Sequence, residues 1–163
     1  MTARPRCYVA SPLGFTEAGR DYYARVYLPA LAELVEPVDP WLLTGADEFT
    51  AAAAGGIDAQ RALALEVGRR NAEAIRSCSL LAAYLEGQEP DSGTVVEIGY
   101  ACGLGVTCFG LRSDLRQAGE PGVALNLQVE ALIVASGGEI VASLDALVRA
   151  LVRRVGNSSP LNH

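Results

Sequence analysis

Strands and helices alternate along this 163-residue chain, which predicts an α/β protein with a five-stranded parallel sheet and helices on both faces. Two stretches anchor that reading. The apolar run Leu80-Leu81-Ala82-Ala83-Tyr84-Leu85 has the character of a buried strand. It leads through Glu89-Pro90-Asp91-Ser92 into Val95 to Leu104, a run of small and apolar residues without proline that suits a packed helix. Half of the residues are hydrophobic and one fifth are charged, the balance of a globular chain long enough for one substantial core.

The elements follow in order. Arg6 to Ala10 is the first strand, ending in the loop Ser11-Pro12-Leu13-Gly14-Phe15. Thr16 is suited to cap a helix that carries Glu17 in its first turn. Apolar residues from Tyr22 to Val35 follow helical spacing, and Pro29 should kink or interrupt that helix. Val35 to Val38 reads as a short second strand, near an edge because of Pro37. Residues 40–56 are loop-like, with a helical turn through Ala46 to Ala54, and a loop of this length suits a lid or a binding loop. A long helix is expected from Asp58 to Cys78. The helix after the central strand should start at residue 92, with Asp91 or Ser92 as its cap. Val106 to Leu111 is the fourth strand, and Arg112 to Gly122 reads as a surface loop. Leu125 to Ala135 forms a helix with Asn126 near its start, Glu139 to Val141 a last short strand, and Ser143 to Val155 an amphipathic final helix. Residues 1–155 make a single domain and residues 156–163 a loose tail. Five strands in this arrangement suit a flavodoxin-like order, 2-1-3-4-5, with a crevice at the carboxyl ends of strands 1 and 3.

That crevice brings the segment from Tyr8 to Phe15 beside the segment from Glu86 to Glu97. Asp91 would sit at the mouth of a helix, Glu97 a turn and a half inside, and Tyr100 on the same face as Glu97. Two carboxylates at a strand's carboxyl end are equipped for nucleophilic or acid–base chemistry, and Phe15 offers a surface for a flat base. An Asp cap with one polar helix residue is also ordinary structure, and most aromatic residues near strand ends are core.

Composition removes several classes. A net charge of −6, with thirteen Arg and no Lys, argues against a nucleic-acid binder. No apolar run approaches the roughly 18 residues of a membrane span, and Met1 to Arg6 does not lead into a signal-peptide core, so a cytoplasmic protein is expected. Cys7, Cys78, Cys102 and Cys108 form no Cys-x-x-Cys pair and read as buried thiols. The only His is His163, which excludes a Ser-His or Cys-His centre and a His-based zinc site. Acid–base work falls to carboxylates, Tyr or Cys.

Beyond spacing, the chain resembles the nucleoside 2-deoxyribosyltransferase family. The resemblance runs from Tyr8 to Ala135 and rests on Tyr-Val-Ala-Ser-Pro-Leu-Gly-Phe (8–15), Asn71 through Cys78, Glu89 through Ala101, Gly110 through Arg116 and Asn126-Leu127. The block Glu-Pro-Asp-Ser-Gly-Thr-Val-Val-Glu-Ile-Gly-Tyr-Ala is its most specific part. The resemblance implies a flavodoxin-like fold and transfer of 2-deoxyribose between bases with net retention. It makes Glu97 the nucleophile that forms a covalent glycosyl ester, and Tyr8 the residue that orients it. Asp91 would bind the sugar 5′-hydroxyl, and Phe15 would pack on the base. Asn71 and Gly93 complete the substrate-binding set, and Asn126 would reach a neighbouring subunit's site. It implies no cofactor and no metal, small deoxynucleosides and free bases as partners, and a homo-oligomer with a shared active site.

The chain departs from the family pattern at Asn71, where an acid that protonates the leaving base often stands. An amide hydrogen-bonds a base but is no general acid at neutral pH. Protonation would then come from water or another residue, or turnover would favour particular bases. Ser79 and Glu86 replace aspartates common nearby. Two rival functions stay open: hydrolysis of a nucleoside 5′-monophosphate, and a non-catalytic nucleoside-binding module.

Overall fold

The structure is a computed structural model and describes residues 3–157. Its sheet has five parallel strands in the order β2-β1-β3-β4-β5: β1 (Arg6–Ala10), β2 (Glu36–Val38), β3 (Leu80–Tyr84), β4 (Thr107–Leu111) and β5 (Ile140–Val141). This is the flavodoxin-like arrangement expected from the sequence. β1 lies between β2 and β3, with Tyr8 opposite Val38 on one side and Leu81 on the other. Pro37 is accommodated because β2 is an edge strand and needs no further ladder partner.

Side chains alternate across the sheet, so neighbouring residues of β1 enter different layers. Cys7 and Val9 face a layer formed by α1 (Glu17–Tyr22), α2 (Leu28–Ala32) and α7 (Leu144–Asn157), where Tyr27, Leu31, Leu147 and Leu151 are buried. Tyr8 and Ala10 face the opposite layer with Ile75, Ile98 and Ile133. That layer holds α4 (Ile57–Arg76), α5 (Ser92–Gly103) and α6 (Leu127–Ala135). The alternation therefore sends the Tyr8 phenol under α5.

The interruption expected at Pro29 takes the form of a widened turn between two α-helical segments. The chain widens into a π-helical turn, Tyr23–Tyr27, in which the Leu28 amide donates to the Tyr23 carbonyl five residues back. The wider turn passes directly into α2, with Pro29 in its first turn, where a missing N–H costs least. Residues 40–56 are also more ordered than a loop. A 3-10 turn (Pro40–Leu42) precedes α3 (Ala46–Ala54), a helix of nine residues. Arg70 of α4 ties this segment down, donating to both Glu48 carboxylate oxygens at 2.8 and 2.7 Å and to the Leu43 carbonyl at 3.2 Å.

The stretch after β4 starts differently from the surface loop expected. Arg112 is 5% exposed. Its guanidinium donates to the carbonyls of Leu85 at 3.0 Å, Gly87 at 2.6 Å and Arg116 at 3.0 Å. Glu86 returns the tie by accepting from the Ser113 and Asp114 amides. Together they hold the strand-to-helix loop that ends at Asp91. Cys7, Cys78 and Cys108 are buried thiols, as expected, and Cys102 is half-buried. Helix α7 runs to Asn157; residues 158–163 of the expected tail, His163 among them, lie outside the described residues. No helix among the described residues is long and apolar enough to cross a membrane.

Candidate active site

Asp91 is the N-cap of α5. Its Oδ2 accepts from the Thr94 amide at 2.9 Å and the Thr94 hydroxyl at 3.2 Å, which fixes the carboxylate at the helix mouth. Among the described residues its Oδ1 receives no hydrogen bond and remains available to a ligand. Glu97 follows a turn and a half later, over the end of β1. There the Tyr8 hydroxyl donates to Glu97 Oε1 at 2.5 Å, a short bond of the kind a phenol makes to a carboxylate.

Burial pushes the Glu97 carboxyl up from the ordinary 4.5 to about 7. The Tyr8 hydrogen bond opposes that rise by favouring the ionised form, and the Asp91 charge adds to it. Tyr8 itself is pushed far above the ordinary phenol range, first by burial and then by the Glu97 charge. It is a donor that keeps its proton. A half-buried carboxylate with one oxygen held and the other free has the form of an oriented nucleophile.

Both carboxylates open into a cavity of about 450 Å³. Its polar lining includes Ser11, Asp91, Thr94 and Glu97, and its apolar lining includes Phe15, Trp41, Phe49 and Val67. Phe15 meets Trp41 edge-to-face with ring centroids 4.8 Å apart. Trp41 is seated by Asp39, whose Oδ1 accepts from the Trp41 amide at 3.0 Å while also accepting from the Tyr23 hydroxyl. The indole lies against Gly14, where an added Cβ would stand 2.3 Å from Trp41 Cε2. A second cavity of about 500 Å³ lies between α4 and α5, lined by Gly68, Val96 and Tyr100 among others. Asn71, Gly93 and Glu97 line both cavities.

Of the residues singled out in the sequence, Phe15, Asn71, Asp91, Gly93 and Glu97 line one cavity, and Tyr8 holds Glu97 from beneath. Asn126 is not brought to it. It caps α6 on the surface, accepting from the Gln128 amide at 3.0 Å. Sequence reasoning missed Trp41, Phe49 and Val67 as wall residues. The one Trp of the chain, placed in a long interstrand segment, was the available signal for the first of them.

The profile of the nucleoside 2-deoxyribosyltransferase family matches residues 7–143, most of the chain. The chain belongs to this family. As a nucleoside 2-deoxyribosyltransferase family member it is an enzyme of N-glycosyl transfer. A solved structure of a conserved protein from Enterococcus faecalis is 25% identical, with a TM-score of 0.71 over 93% of this chain and 99% of that one. The 2-deoxyribosyltransferase of Leishmania mexicana is 24% identical, with a TM-score of 0.65 over 94% and 99%. That of Bacillus psychrosaccharolyticus is 16% identical, with a TM-score of 0.64 over 92% and 95%. The last two likenesses show a shared fold. No curated protein matches the chain.

Proposed function

We propose that the protein moves 2-deoxyribose from one nucleobase to another through a covalent ester on Glu97. The observation that carries this reading is the Tyr8–Glu97 hydrogen bond beside a cavity that both Glu97 and Asp91 line. With Oε1 held by Tyr8, Oε2 attacks C1′ on the face opposite the base. The C1′–O bond forms as the C1′–N bond breaks, and the electron pair of that bond leaves with the base. A second base then attacks C1′ from the vacated face and returns the carboxylate, so two inversions give net retention. Asp91 Oδ1 accepts from the sugar 5′-hydroxyl. Phe15 and Trp41 give the base an apolar surface, with Gly93 leaving room between the cavities. Asn126, exposed at the start of α6, serves the site of a neighbouring subunit in a homo-oligomer.

A base-exchange assay tests this. The protein is incubated with thymidine or 2′-deoxyinosine and free adenine or cytosine, and all species are separated by chromatography. A new deoxynucleoside is expected, and Glu97→Ala should abolish it. An unchanged rate in Glu97→Ala would refute the nucleophile. Base release from a deoxynucleoside 5′-monophosphate alone would instead favour hydrolysis, and nucleoside binding without turnover would favour a sensor.

A further inference from the structure

A departing base needs its new electron pair stabilised, usually by a proton, and the cavity holds few groups able to give one. Its titratable lining residues are Asp91 and Glu97. Glu97 must be ionised to attack, and the proton of Tyr8 is committed to Glu97 Oε1. Asp91 is an acceptor fixed at the helix cap by the Thr94 amide and hydroxyl. The hydroxyls of Ser11, Thr44 and Thr94 and the indole N–H of Trp41 hold their protons at neutral pH. Arg70, behind Thr44, is bonded to Glu48, Glu66 and the Leu43 carbonyl, and a guanidinium does not give up a proton.

Asn71 stands among these groups, projecting from α4 and lining both cavities beside Glu97. Its Oδ1 is shut away from solvent and has no hydrogen-bond partner among the described residues. That leaves Nδ2 as the polar atom the side chain can offer a ligand. An amide N–H stabilises negative charge on a ring nitrogen by hydrogen bonding and transfers no proton.

We propose that in this protein the base departs as an anion held by the Asn71 amide, which selects nucleosides of the more acidic bases, the 6-oxopurines and uracil-type pyrimidines, over those of cytosine. This rests on the glycosyl-transfer reading above. As C1′–N breaks, both electrons remain on the ring nitrogen while a Glu97 lone pair forms C1′–O. One negative charge passes from the carboxylate to the base. The released anion then takes a proton from water, leaving hydroxide in solution. In the reverse direction the acceptor base enters as its anion.

The test is a leaving-group series at fixed pH. Single-turnover base release is measured for the 2′-deoxynucleosides of thymine, uracil, 5-bromouracil and 5-fluorouracil, which differ in N–H acidity and little in shape. The rate should rise about 5- to 10-fold for each unit by which the base is more acidic, because no proton offsets the charge. Asn71→Asp, nearly isosteric, should flatten the series and speed thymidine relative to the 5-fluorouracil nucleoside. Retained binding of each variant is read from the emission of Trp41, the one Trp in the chain. A wild-type slope below about twofold per unit would show that a proton is delivered and would overturn the proposal. So would an Asn71→Asp series as steep as wild type. No release from any member would overturn the transfer reading itself, and this proposal with it.

Discussion

Glu97 is held at about 7 by its surroundings, burial foremost, so its ionisation governs the working range of the site. On the proposed mechanism kcat/KM for thymidine should climb with pH, reach half its plateau near pH 7, and be about 100-fold lower two units below. Tyr8→Phe removes a donor that favours the ionised form, so its half-plateau point should lie above that of wild type. A profile unmoved by Tyr8→Phe would detach the phenol from the carboxylate's ionisation. The same raised value has a cost in stability. The folded chain holds the Glu97 proton to higher pH than an unfolded chain does. Stability from this group is therefore full below the unfolded value of 4.5 and is lost as pH rises through about 7. Glu97→Gln stays neutral and still accepts from Tyr8. It should unfold at higher temperature than wild type at pH 8, by an amount corresponding to about 3 kcal/mol, with the gap closing at pH 4. Equal midpoints at pH 8 would mean that the buried carboxylate carries no strain.

At the scale of elements, the base-facing wall depends on how closely the loop after β1 approaches the 3-10 turn at Pro40. Gly14 supplies the clearance, because any Cβ would collide with the indole. Gly14→Ala should displace Trp41, raise KM for nucleosides about tenfold and shift the Trp41 emission, while thermal stability falls by less than about 1 kcal/mol. An unshifted emission with unchanged KM would show that Trp41 is not part of the wall. This contact was invisible in the sequence because it joins residues 14 and 41 across two connections, and neither follows a periodic pattern. By contrast, the Asp91 cap and the start of α5 at Ser92 were legible, since capping is settled by residues a few positions apart. The π-helical turn was half legible. Pro29 announced a disturbance, but whether a helix breaks or widens depends on the tertiary packing of Tyr23 and Tyr27 in the core.

At the scale of the molecule, the strand order could be read because each parallel crossover leaves a strand, a helix and a connection in the sequence. What could not be read were approaches between distant parts of the backbone. Arg112 looked like the first residue of a charged loop, and the reason it is buried lies in the carbonyls of Leu85 and Gly87, 27 and 25 residues earlier. The place of Gly138 is fixed by the Cys108 carbonyl, 1.7 Å from where a Cβ would stand. Gly138→Ala should lower the unfolding midpoint by an amount corresponding to about 2 kcal/mol or more, through displacement of β5 from β4. A midpoint within about 0.5 kcal/mol of wild type would show that this edge shifts freely. Asn126 is exposed at the start of α6, apart from the cavity of its own chain. The two chambers that meet at Glu97 have a consequence for timing. A sugar waiting on that carboxylate would have a door on either side, one shaped for a flat aromatic guest and one bordered by Gly68, Val96 and Tyr100. Whether the enzyme swaps bases or merely wastes nucleosides then becomes a matter of traffic, decided by whether an incoming base or a water molecule arrives first.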